Sequence, residues 1–190
     1  MQKIILSILI LLLSTIGHAG GFAENLVAGA RAQVGVTTDY DGSYQAIGYP
    51  GGDVPLTTGV CSDVIVRAFR AVGFDLQVLI HEDISAHFSL YPQINGQSVP
   101  DKNIDHRRVK NLAVFFSRYG ETLPITDHPT DFLPGDVVVW AVPLPHIGIV
   151  SDKYDGETPQ VIHNIGAGAQ EEDALFDYKI TGHFRYLPGE

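Results

Sequence analysis

The chain has 190 residues and a formal charge of −10: long enough for one domain with its own core, and too acidic to take nucleic acid or an anionic membrane as its main partner. It contains one cysteine, which excludes an intramolecular disulfide and leaves that thiol as a buried bystander, an intermolecular link or a reactive group.

Residues 1–20 read MQKIILSILILLLSTIGHAG. Lys3 supplies a positive start, Ile4 to Leu13 an apolar run broken only by Ser7, and Gly17 and Ala19 the small residues of a cleavage site. This predicts a signal peptide over residues 1–19, too short to span a bilayer comfortably. No cysteine closes the apolar run to take a lipid, and no later segment is apolar enough to cross a membrane. The mature chain is therefore expected to be periplasmic or secreted, without a stable membrane anchor. With no internal repeat, low-complexity tract or linker, residues 20–190 are expected to form a single domain acting as a monomer.

Phe22 to Val34 carries apolar residues at helical spacing. Thr37 to Gly59 is rich in Gly, Pro, Asp and Thr and reads as a long functional loop. Cys61, Val64, Ile65, Ala68 and Val72 then share one face of a helix that stops at Gly73, with Thr57 and Thr58 available as N-caps. Leu76 to Phe88 predicts another helix, and Val109 to Tyr119 a further one ending at Gly120. After Leu133 the pattern changes. "PGDVVVWAV" is a β-branched run opened by a Pro-Gly turn, a strand from about Asp136 to Val142. "HIGIVSD", "QVIHNIG" and "GHFRYLP" predict three more. Helices first and an antiparallel sheet after them give an α+β class.

Cys61 falls in the first turn of its helix, where free N–H groups and the helix dipole favour an anion. Such sites can lower a thiol pKa from ~8.5 toward ~3.5–7.5. A thiolate nucleophile needs a histidine and a group to orient it. His146 opens one predicted strand and His163 lies in the next, beside Asn164. Strand alternation puts His163 and Asn164 on opposite faces, so only one of them can orient His146. Asp105, His106, Arg107 and Arg108 enter the Val109 helix. This cluster is either a solvated face or, through an arginine fork, a carboxylate-binding group. His81 and His87 lack the spacing of a helical zinc pair and no HExxH is present, so no metal and no cofactor is expected. Trp140 is expected in the core, and Gly166 and Gly168 in a turn.

The blocks "GVCSDVIVRAFRAVGF", "LPGDVVVW" and "PHIGIVSD…VIHNIG" resemble the signature of NlpC/P60-type cysteine peptidases. More narrowly, the mature chain resembles the DUF1287 family, through "NIDHRRVKNLAVFFSRYG" and "ITGHFRYLP". The resemblance implies a papain-like fold, with the nucleophile helix packed on the antiparallel sheet, and cleavage of amide bonds in peptidoglycan stem peptides. It implies Cys61 as nucleophile, His146 as general base and His163 as the residue that orients it. It also implies a tyrosine shortly before the nucleophile, for which Tyr49 is the candidate. Val60 stands where NlpC/P60 proteins usually carry Asp, and Asp63 follows the cysteine instead. Asp63, Arg107, Arg108 and Asn164 are the candidates for substrate contact. The partner implied is peptidoglycan or cell-wall peptide. A non-catalytic peptidoglycan- or partner-binding module, and an acyl or peptidyl transferase, are the alternatives on the same fold.

Overall fold

The computed structural model describes residues 21–188; the predicted signal segment lies outside them. Four helices, α1 (Phe22–Arg31), α2 (Cys61–Ala71), α3 (Leu76–Ala86) and α4 (Val109–Tyr119), precede most of the sheet. The strands are β1 (Asp39–Tyr40), β2 (Thr58–Gly59), β3 (Glu121–Thr122), β4 (Val137–Ala141), β5 (Pro145–Asp155), β6 (Thr158–His163), β7 (Gln170–Glu172) and β8 (Lys179–Arg185). β1 and β2 form a short parallel pair, and the rest form an antiparallel sheet in the order β3-β8-β4-β5-β6-β7. The expected α+β arrangement is present, with helices ahead of an antiparallel sheet.

The sheet is buried on both faces. Val137, Val139, Ile147, Ile149, Ile162 and Phe184 pack toward α1, α2 and α4. Val138, Trp140, Val150, Val161 and Ile180 pack on the other side with Phe132, Ala174 and Leu175. A strand covered on both faces reads as a continuous apolar run, and this is why "VVVW" does not alternate with polar residues. Trp140 is fully buried and its indole N–H donates to the Leu175 carbonyl (2.8 Å). α1 crosses α2 at Gly29, where a Cβ would sit 2.8 Å from that of Ala71. The close approach requires glycine.

The long loop between α1 and α2 is held in place by buried polar side chains. Arg67, on α2, forms a bidentate pair with Asp53 (2.9 Å twice) and also donates to the carbonyls of Val54 and Thr58. Gln77, on α3, donates to the Gly48 carbonyl and accepts from the Gly52 N–H, both at 2.8 Å. These bonds satisfy backbone groups that the loop cannot pair within itself.

Candidate active site

α2 begins at Cys61 because Val60 is fully extended (φ −118°, ψ 179°) and Asp63 reaches back to accept the Val60 N–H (2.7 Å). Thr57 and Thr58 are not the caps: the Thr58 hydroxyl donates instead to the Pro55 carbonyl. The residue before the helix is fixed from the sheet side too, since Asn164, at the end of β6, donates from its side chain to the Gly59 carbonyl (3.1 Å). Cys61 therefore stands at the junction of the loop, the helix and the sheet. The backbone of Ile147, next to His146, lies by its sulfur and favours the thiolate.

His146 and His163 come together as expected. The β4–β5 register pairs Trp140 with His146, and the indole stacks on that imidazole (5.6 Å between centroids, 30°). His146 Nε2 is 2.7 Å from His163 Nδ1, and His163 Nε2 is 2.9 Å from Glu172 Oε1. Both histidines are buried. With Nε2 committed to His163, Nδ1 is the His146 nitrogen left for a reacting proton. Among the described residues no direct hydrogen bond joins Cys61 to His146. Asn164 faces the opposite way, toward Gly59, so it holds the backbone just before Cys61 and makes no bond to the histidine.

The electrostatics differ from the expectation of a lowered thiol pKa. Burial pushes the Cys61 thiol up to about 11, against the pull of the Ile147 and Ser62 backbone groups. Burial, with His163 beside it, pushes His146 down to about 3. Burial also lowers His163, partly offset by Glu172. Desolvation penalises either charge alone, so the resting pair is a neutral thiol and a neutral imidazole. The first turn of α2 does not outweigh that burial.

Cys61 opens onto a cleft of about 500 Å³. Tyr40, Ile94, Ile104, Leu144 and Pro145 give it apolar walls, and Arg107, Arg108 and Lys110 line one side. No Asp or Glu is among the lining residues. Among the described residues no three His, Cys, Asp or Glu side chains converge as a metal site, and no helix is long and apolar enough to cross a membrane.

Residues 27–186 match the family described as a domain of unknown function, DUF1287. This chain belongs to the DUF1287 family. It is also 54% identical, over 163 residues, to the uncharacterized protein YijF of Escherichia coli (strain K12), covering 84% of this chain and 79% of that one.

Within this DUF1287 domain three of the proposed site residues take other roles. Tyr49 is not in the cleft: its ring packs edge-on against His81 (5.3 Å) with Lys102 Nζ over it (5.6 Å). Tyr40 is the tyrosine at the cleft; burial raises its pKa and keeps its proton. Asp63 and Arg107 do not wait for a ligand. They form a bidentate pair (2.9 Å twice) whose side chains are 4% and 2% exposed. Arg107 also donates to the Ser43 and Asp41 carbonyls, and its own carbonyl accepts the Ser62 hydroxyl. Burial alone would lower the Arg107 pKa; the paired Asp63 carboxylate reverses that and raises it. Arg108 is half-buried, spends one nitrogen on the Ile94 carbonyl (3.1 Å) and lines the cleft. Tyr40 and Glu172 are the residues that sequence reasoning missed. Tyr40 sat in a loop without period, and Glu172 in an acidic run that reads as solvated.

Proposed function

We propose that this DUF1287 protein is an exported cysteine amidohydrolase, cleaving amide bonds in peptidoglycan stem peptides through a thioester on Cys61. The observation that carries the reading is the placement of the only thiol. It stands at the first residue of a helix, at the head of a cleft, with Ile147 at its sulfur and the adjacent His146 bonded to His163. In the reaction Cys61 Sγ attacks the scissile carbonyl carbon while its proton passes to His146 Nδ1. The oxyanion takes hydrogen bonds from the Cys61 N–H and the Tyr40 hydroxyl, the latter replacing the Tyr49 of the family pattern. The imidazolium, stabilised against the Trp140 face, returns its proton to the leaving amine, and the C–N bond breaks. His146 then takes a proton from water as the hydroxide attacks the thioester, releasing the acid and restoring the thiol.

Arg108 and Lys110 support an anionic substrate. They are cations in a largely apolar cleft of a chain whose net charge is −10. A stem-peptide carboxylate is a partner an arginine fork can grip at two points. Purified peptidoglycan is digested with wild-type and Cys61→Ala protein and the fragments are weighed. New peptide termini are expected from the wild type alone; intact sacculi from both would overturn the reading. The 4% exposure of Cys61 favours a second reading, a binding module with an unused thiol, for which both proteins would sediment with sacculi that stay intact.

A further inference from the structure

The bonds of His146 and His163 decide more than ring orientation. A neutral imidazole carries one N–H and one bare nitrogen, and whatever partners the first fixes the second. Glu172 Oε1 lies 2.9 Å from His163 Nε2. A carboxylate only accepts, so the proton sits on His163 Nε2 and His163 Nδ1 is bare. That bare nitrogen, 2.7 Å from His146 Nε2, accepts its N–H, which leaves His146 Nδ1 bare in turn. The reverse order would set a bare His163 Nε2 against the carboxylate, acceptor against acceptor.

We propose that Glu172 is a positioning residue for the general base: through His163 it holds His146 in the tautomer whose Nδ1 can take the Cys61 proton. The sheet builds this relay. The β6–β7 register sets Glu172 opposite Val161, so it lies diagonal to His163 on the same face. Its neighbour Glu171 points to the other face, where Arg31, Ser151 and Lys153 hold it. Adjacent glutamates on an edge strand thus do different work, one tying down α1 and the other setting a tautomer. When His146 becomes an imidazolium, the same chain aligns N–H dipoles toward a carboxylate that favours the positive charge.

The inference rests on the cysteine-hydrolase reading, but its test does not need a substrate. Mature protein labelled with ¹⁵N in its histidine rings is examined by long-range ¹H–¹⁵N NMR at neutral pH, with His146→Gln to assign the signals. Wild type is expected to show protonated Nε2 and bare Nδ1 on both rings. Glu172→Lys places a donor against His163 Nε2 and is expected to invert both tautomers, with Cys61 alkylation by iodoacetamide slowed about tenfold or more as the base is lost. Glu172→Leu is expected to give a mixture of tautomers, and Glu172→Gln, whose amide oxygen still accepts, to recover the wild-type pattern. The Glu172 side chain is 49% exposed, so these changes bury no new charge, and Glu172→Leu alone decides should Glu172→Lys fail to fold. Wild-type tautomers in Glu172→Lys or Glu172→Leu would overturn the relay. Tautomers that follow residue 172 in a protein that leaves peptidoglycan intact would keep the relay and remove the hydrolase. Cleavage with tautomers indifferent to residue 172 would do the opposite.

Discussion

At the scale of single residues the site is governed by burial. A first-turn position lowers a thiol pKa through dipole and N–H groups, an effect of order 1 kcal/mol in exposed sites. Removing the same thiolate from water acts in the other direction and wins, lifting Cys61 to about 11. The rate of Cys61 alkylation by iodoacetamide is therefore expected to rise through a midpoint well above that of a free thiol in the unliganded protein. A midpoint at or below the ordinary ~8.5 would show a thiolate held by His146 at rest. In the proposed reaction the proton would then move during attack, without a standing ion pair. The two candidate orienting residues separate for a related reason. His163→Ala removes the partner of His146 Nε2 and is expected to lower kcat about a hundredfold, the scale of positioned base catalysis. Asn164→Ala frees the Gly59 carbonyl instead, so its loss should appear in the unfolding midpoint, about 1–3 kcal/mol for a buried group left unpaired, before it appears in kcat. Steady-state kinetics and denaturant melts on the two variants give the ranking.

At the scale of elements, what the sequence made legible follows the physics of burial. The β4 and β5 runs are apolar because both sheet faces are covered, and α2 and α4 carry helical stripes because one face of each meets that sheet. The first-turn position of Cys61 and the meeting of His146 and His163 were readable from motif and alternation. Tyr40 and Glu172 were not, since each acquires its role through a register: Tyr40 opposite Gly59 in a two-residue parallel pair, Glu172 across an edge strand from β6. The Asp63–Arg107 pair spans 44 positions of sequence, and no local pattern announces a contact of that length. β7 reads as a polar turn, yet it anchors α1: Glu171 takes Arg31 (2.7 Å), Lys153 (2.7 Å) and Ser151 (2.5 Å). Burial alone would raise this carboxyl; those bonds overturn that and hold it at about 2, against 4.5 unperturbed. A depressed carboxylate pKa stabilises the fold above the unfolded value, and that contribution drains away as pH falls toward the folded one. The stability gap between wild type and Glu171→Gln is therefore expected to be constant above about pH 5 and to close between roughly pH 4.5 and 2. Urea midpoints measured across that range check it, and a gap that persists at pH 2 would mean the clamp is not ionic.

At the scale of the whole molecule the charge distribution is uneven in a way that bears on substrate. An acidic body repels acidic ligands at long range, yet the cleft that holds Cys61 is lined by Arg107, Arg108 and Lys110 and by no carboxylate. Arg107 is neutralised in place by Asp63, which leaves Arg108 and Lys110 to face what enters. The two arginines, adjacent in sequence, should then fail differently. Arg107→Ala strands a buried Asp63 charge and is expected to cost about 3–5 kcal/mol of stability, as broken buried pairs do. Arg108→Lys keeps the charge and the fold but loses the planar two-point contact. It is expected to lower kcat/KM about ten- to a hundredfold on a stem peptide with a free carboxylate, the scale of a charge-assisted hydrogen bond of about 1.5–3 kcal/mol. On the same peptide with that carboxylate amidated, Arg108→Lys and wild type should converge, because the group that Arg108 is proposed to grip is gone. Equal activity on both peptides would return Arg108 to a structural role as the residue that ties α4 to the Ile94 carbonyl. Selection would then fall to the apolar walls of the cleft, with Tyr40, Ile94 and Leu144 as the residues to change next.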